Sequence, residues 1–187
     1  MAWATLGLCT VLGGDLPGGS AQLETACKLE EKGFGSVRAP TAAAVVMLAR
    51  AHHRAGDHAK VLGLARRVVA PLKREVGYEG PLAMITELEA RGLVALGRPR
   101  DAVARVQDVL SPLARRQGGT AEQMARLYLA LGAAEIGCGR GDRARVAWER
   151  SRALAVESGG AGSDLALEVG AALELLEHGT AARRGAK

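Results

Sequence analysis

The chain has no asparagine, only five aromatic residues among 187, and three cysteines. Cys9, Cys27 and Cys138 form no C-x-x-C pair and leave one over, which argues against a disulfide scaffold and fits a reducing compartment. A cytoplasmic location is therefore expected. No apolar run approaches the length of a membrane span. The apolar start through Cys9 lacks preceding basic residues and a small residue just before the cysteine, so it does not read as a secretory or lipoprotein leader. No sustained alternation of period two occurs, which removes the usual signal for strands.

What is present is 48% hydrophobic residues, abundant alanine, and 25 glycines without a G-X-Y period. This composition favours an alanine-rich helical protein and excludes collagen. Twenty-five basic side chains stand against 20 acidic ones, for a net charge of +5. Both signs are interleaved along the chain instead of gathered into a basic stripe, so nucleic-acid binding is not expected of this segment alone.

The strongest internal signal is a repeat. Gly14, Gly56, Gly97 and Gly139 each follow an apolar segment and precede a polar turn, at separations of 42, 41 and 42 residues. Other landmarks keep the period. Gly14-Asp15 matches Gly56-Asp57, and the Pro71 segment matches the Pro112 segment 41 residues on, with Gly77 and Gly118 ending the two. Each periodic glycine reads as a helix stop, because a left-handed residue closes a helix at low steric cost when it lacks a Cβ. Starts are marked by Pro40-Thr41, Pro99, the capping pair Thr120 and Gln123, and Ser163-Asp164.

Between these marks the apolar spacing is helical, as in Val45, Leu48, Ala49 and His52. Nine helices are expected, at about 2–13, 18–32, 41–55, 57–75, 82–96, 99–116, 121–138, 142–157 and 164–178. Pro71 and Pro112 should kink or break two of them. A hairpin of about 40 residues cannot bury its apolar face alone, so successive hairpins must stack into a solenoid. The expected fold is all-α, a right-handed superhelix of four hairpins (2–39, 40–80, 81–119 and 120–162) plus a cap helix at 163–178. This makes residues 1–179 one domain, with a flexible basic tail at 180–187.

These residues resemble lengthened tetratricopeptide repeats. In the first unit Trp3, Leu6, Gly7, the Gly14-Asp15 turn and Ala26 match the family pattern, and in the fourth Tyr128, Leu131, Gly132, Ala144 and Trp148 do so. The second unit puts His52 where a large aromatic residue is usual, and the third keeps mainly Gly97 and Ala102. Such repeats resemble the helical sensor region of LuxR-type ATP-binding bacterial regulators and also kinesin-light-chain repeats. The resemblance implies a non-catalytic protein-interaction module. The alternative is a sensor or transmission segment of a LuxR-type regulator, either a fragment or a stand-alone relative.

Motifs for chemistry are lacking. There is no phosphate-binding G-x-x-x-x-G-K-[ST] loop and no H-E-x-x-H pair. His52 and His53 are adjacent, so they point about 100° apart and do not converge on one ion, even with Asp57 and His58 close by. His52 is expected in the hairpin core and His53 on the inner face. The Gly137-x-Gly139-x-Gly141 run reads as a turn, since it follows a helix and not a strand. Cys9 and Cys27 can approach across the first hairpin but read as small buried hydrophobes. Glu30-Glu31, and Glu87 with Glu89, do not face one another on a helix and read as solvated charges. No enzyme, metal or cofactor is expected.

The resemblance also implies where a partner would bind, because in such repeats the first helix of each hairpin lines a concave groove. Carried over, the groove consists of Val46, Arg50, His53 and Arg54, then Met84, Glu87, Arg91 and Val94, then Arg126, Leu129 and Ile136. An apolar face with four arginines and one carboxylate suits an acidic, amphipathic peptide. Clamping of a terminal carboxylate by asparagines, a mode of the family, has no residues to serve it here. A second contact is expected at the outer flank of the first hairpin, where Trp3 and Leu6 have no repeat above them. A partner, a second copy in a homodimer, or residues of a longer parent would cover it.

Overall fold

The computed structural model describes residues 2–34, 36–115 and 119–185. These form helices α1 (Ala2–Leu12), α2 (Leu16–Phe34), α3 (Ala39–Arg54), α4 (His58–Arg74) and α5 (Glu79–Ala95). Then follow α6 (Pro99–Arg115), α7 (Ala121–Gly137), α8 (Gly141–Gly159) and α9 (Asp164–Gly185), with no strand among the described residues.

The periodic glycines set the hairpins. Gly14, Gly56, Gly97 and Gly139 have φ of +96°, +75°, +71° and +74°, and a Cβ on any of them would meet nothing within 4 Å. Backbone handedness, not lack of space, is what demands glycine there. At each turn the residue after the glycine closes the helix with a backbone bond, as Asp57 N–H does to His52 C=O and Arg98 N–H to Leu93 C=O. Gly77 has φ +91°, whereas Gly118 lies outside the described residues and its neighbour Gly119 takes φ +104°.

Starts follow their caps. Thr120 Oγ1 accepts from Gln123 N–H at 3.3 Å while Gln123 Oε1 accepts from Thr120 N–H at 2.9 Å, a complete capping box. Ser163 Oγ accepts from Ala166 N–H at the start of α9. Two expectations need correction. α4 and α6 run through Pro71 and Pro112 without a break; each proline forfeits one i→i−4 bond, but it stands within four residues of the helix end, so little helix beyond it depends on that turn. The backbone of α9 stays helical past residue 178 to Gly185, through Ala181 and Ala182, so the expected flexible tail is helical for most of its length.

The odd helices α1, α3, α5 and α7 pack one on the next as an inner layer, each also packing against its hairpin partner. Among the described residues, α2, α4, α6 and α8 form no comparable row and are splayed apart as an outer layer. The main core between the layers contains Val45, Val61, Leu72, Leu82, Ile85, Leu113 and Leu127, all essentially inaccessible. Each such aliphatic side chain contributes roughly 1.5–3 kcal/mol by leaving water. A second cluster joins α7, α8 and α9 around Trp148. The Trp148 indole donates from Nε1 to the Leu129 carbonyl at 3.1 Å and lies so close to Gly132 that a Cβ there would come within 2.2 Å of it. The fourth unit's aromatic and glycine signature is thus one contact. At the other end Trp3 and Leu6 remain about half exposed, 48% and 50%, on the outer side of α1.

Candidate functional site

The inner layer carries a cavity of about 540 Å³ formed by α3, α5 and the first turns of α7. Arg50, His53 and Arg54 enter it from α3, spaced three and four residues apart on one face. Met84, Glu87 and Arg91 enter from α5 and Arg126 from α7. Seven of the expected groove residues are therefore brought together. Ala83, Met84 and Leu88 give the cavity an apolar floor, and the capped start of α7, with Thr120, Glu122 and Gln123, forms one rim.

Charge within it is unevenly matched. Arg91 Nε meets Glu87 Oε1 at 3.1 Å, and its Nη2 reaches Glu168 of α9 at 3.4 Å. Arg126 holds Glu122 Oε1 through Nε and Nη2 at 3.1 and 2.9 Å. Arg50 and Arg54, both exposed, form no ion pair among the described residues. Glu87 is buried, and burial raises its pKa above the usual carboxylate range despite the opposing pull of Arg91, Arg126 and Arg50. His53 is held below its usual value first by burial, then by Arg91 and His58. Its Nδ1 is buried without a hydrogen-bond partner, and its ring lies 5.3 Å from that of His58.

Four expected groove residues lie elsewhere. Val46 is in the main core and Leu129 in the cluster beneath α9, both buried. Val94 is half-buried against the main core, and Ile136 is exposed near the end of α7, away from the cavity. Val46, Glu87 and Leu129 occupy one repeat position, which faces inward in every unit. Only Glu87, on the middle helix of the cavity, lines it, paired with Arg91.

The solvated reading of Glu87 and Glu89 is also corrected. Glu89 is buried on the opposite side of α5 with its Oε1 3.3 Å from Arg105 Nε, and burial raises its pKa too. Glu135 on α7 is likewise buried, 3.3 Å from Arg140 Nη1. The contribution of Glu168 was not legible either, because nothing local to α9 says that it crosses α7 to meet α5.

The histidines separate as their spacing requires. His52 is in the core, its Nε2 3.2 Å from Ser20 Oγ and its Nδ1 3.8 Å from Asp57 Oδ2, while His53 faces the inner cavity. Among the described residues no group of three or more His, Cys, Asp or Glu is placed to hold a metal. The cysteines are all free; Cys27 is buried, which pushes its thiol up to about 11, but Cys9 is exposed and is not the buried hydrophobe expected. No helix among the described residues is long and apolar enough to cross a membrane.

No protein-family model matches the chain, and no curated protein matches it in sequence. Its fold is that of solved TPR-like repeat structures. One is the crystal structure of a variant of a Podospora anserina kinesin-light-chain protein with nearly identical TPR-like repeats. It superposes with a TM-score of 0.69 at 20% identity, covering 99% of this chain and 88% of that one. The class of the protein is therefore a TPR-like α-solenoid. The resemblance to LuxR-type regulators gains no support from this match.

Proposed function

We propose that the chain is a non-catalytic protein-interaction module whose inner layer holds an acidic, amphipathic helix of a partner protein. The observation that carries this reading is the placement of α9. It buries Leu165, Ala166 and Val169 in one cluster with Ala125 and Leu129 of α7, and it sets Glu168 against Arg91 at the cavity. The chain itself thus packs α9 against α7 and α8 with one carboxylate, Glu168, toward an arginine of the inner layer. Beside it, Arg50 and Arg54 offer the same chemistry without a partner, over an apolar floor. A guanidinium fork engages a carboxylate in defined geometry, which supplies orientation as well as attraction.

The test is fluorescence anisotropy with a labelled synthetic helix of alternating Leu and Glu faces, and with its Glu→Gln counterpart. Binding should favour the acidic peptide, and Arg50→Glu combined with Arg54→Glu should weaken it by about tenfold or more, equivalent to about 1.4 kcal/mol. Both residues are exposed, so circular dichroism should show the variant folded. Equal affinity of wild type and variant for the acidic peptide would sink the proposal.

A further inference from the structure

The outer side of the solenoid holds cavities that the inner-layer reading does not use. Because successive outer helices are splayed, a slot opens between α2 and α4, another between α4 and α6, and a third between α6 and α8. The same repeat positions build all three. Gly63, Ala104 and Val146 are equivalent and each lines its own slot, as do Leu48, Glu89 and Leu131 on the inner helix beneath.

Their chemistry differs. The second and third slots have a buried glutamate in their lining, Glu89 and Glu135, each paired with an arginine. The first, about 620 Å³, has a mostly apolar lining that includes Ala21, Leu48, Ala59 and Leu64, and its charges are already matched. Arg67 is held by Glu24 and by Glu31 at 3.0 Å, and Lys60 by Asp57 at 2.9 Å. No cation in the lining is left to receive an anion, so the slot favours an uncharged occupant. Its volume is in the range of small-molecule sites, which are concave, apolar and carry few polar groups.

Gly63 lines the slot from α4. It lies in the interior of α4, has no positive φ, and a Cβ on it would meet nothing within 4 Å. Neither the backbone nor packing within the chain requires glycine, which is less stable than alanine in a helix. Its missing Cβ leaves the α4 wall of the slot bare beside Leu64.

The polar group is Ser20. His52 is buried, which lowers its pKa and leaves the imidazole neutral, and its Nδ1 side faces the Asp57 carboxylate. Ser20 Oγ lies 3.2 Å from His52 Nε2 and lines the slot, and a hydroxyl, which both donates and accepts, has capacity for a further hydrogen bond there.

We infer that the slot between α2 and α4 binds an uncharged, apolar small molecule bearing one hydroxyl, which hydrogen-bonds Ser20 Oγ while its hydrocarbon lies over Leu48 and Leu64 beside Gly63. The site is separate from the inner cavity, and its test does not depend on peptide binding.

The experiment is a methyl NMR titration of the full chain with n-octanol and with octanoate at pH 7, reading the Leu48 and Leu64 signals. Octanol should give saturable shifts at both leucines, and octanoate should bind at least about tenfold more weakly because its carboxylate finds no unpaired cation. Gly63→Leu should abolish the octanol shifts while leaving helix content unchanged. Should that variant fold poorly, Ser20→Ala supplies the same test, with octanol affinity falling several-fold. Unsaturable shifts, equal binding of octanoate, or full binding by a folded Gly63→Leu or Ser20→Ala variant would each overturn the inference.

Discussion

Glu87 and Glu89 stand two residues apart on α5, both buried, both with burial raising their pKa, and both facing an arginine. They point to opposite sides of the helix. Glu87 looks into the inner cavity, where Arg50 and Arg54 are left over, while Glu89 looks into an outer slot beside Arg105. The comparison teaches that similar burial does not make similar function: one glutamate belongs to a surplus of positive charge, the other to a locally closed pair.

The largest test of this contrast removes the arginines. Arg91→Leu and Arg105→Leu should each cost about 1–2 kcal/mol in urea unfolding at pH 7, less than a fully buried pair would, because both guanidinia remain partly hydrated. Adding Glu87→Leu or Glu89→Leu, respectively, should recover most of that stability, since an apolar pair replaces a stranded charge. Peptide binding separates the two. The outer double variant should bind the acidic helix as wild type does, and the inner one should bind it more weakly.

The next effect is on pH dependence and has the same sign on both sides of α5. A carboxyl whose pKa is raised in the folded state stabilises the fold below its unfolded pKa and loses that contribution as pH rises through the folded value. Lowering pH from 7 into the ordinary carboxylate range should therefore increase the share of stability due to Glu87 and Glu89. Comparing wild type with Glu87→Gln plus Glu89→Gln by urea midpoint should show this rise in wild type only. Equal slopes in the two proteins would contradict the burial assigned here.

The smallest effect concerns the outer side. Gly63→Ala should raise stability by about 0.5–1 kcal/mol, as expected for glycine in an exposed helix interior with no steric demand on it. A loss instead would show that Gly63 serves the fold and not the slot.

Helices, turns and repeat period were legible because they are written locally. Gly56, Gly97 and Gly139 mark stops that any helix of this handedness needs, and Thr120 with Gln123 marks a start. The arginine cluster was legible because Arg50 and Arg91 fall on the inner helices one repeat apart, with Arg54 one turn after Arg50. The exact inner face was not. α5 packs against α3, α4, α6 and α7 at once, so it has little solvent side, and a rule that assigns alternating glutamates to water fails there. Val46 and Leu129 were misplaced for a related reason: their repeat position is buried in each of these units. Glu168 could not be read from sequence at all, since its partner is 77 residues away and set by how α9 crosses the array.

That crossing has a consequence for how the molecule comes apart. In a linear stack each hairpin touches only the next, so unfolding can peel from an end one unit at a time. The pair Arg91–Glu168 joins α5 to α9 over the intervening α7. An exposed pair of this kind is worth at most about 1 kcal/mol, yet it means that detaching the last helix also disturbs the middle of the array. The C-terminal half should melt less like a zipper and more like a single block.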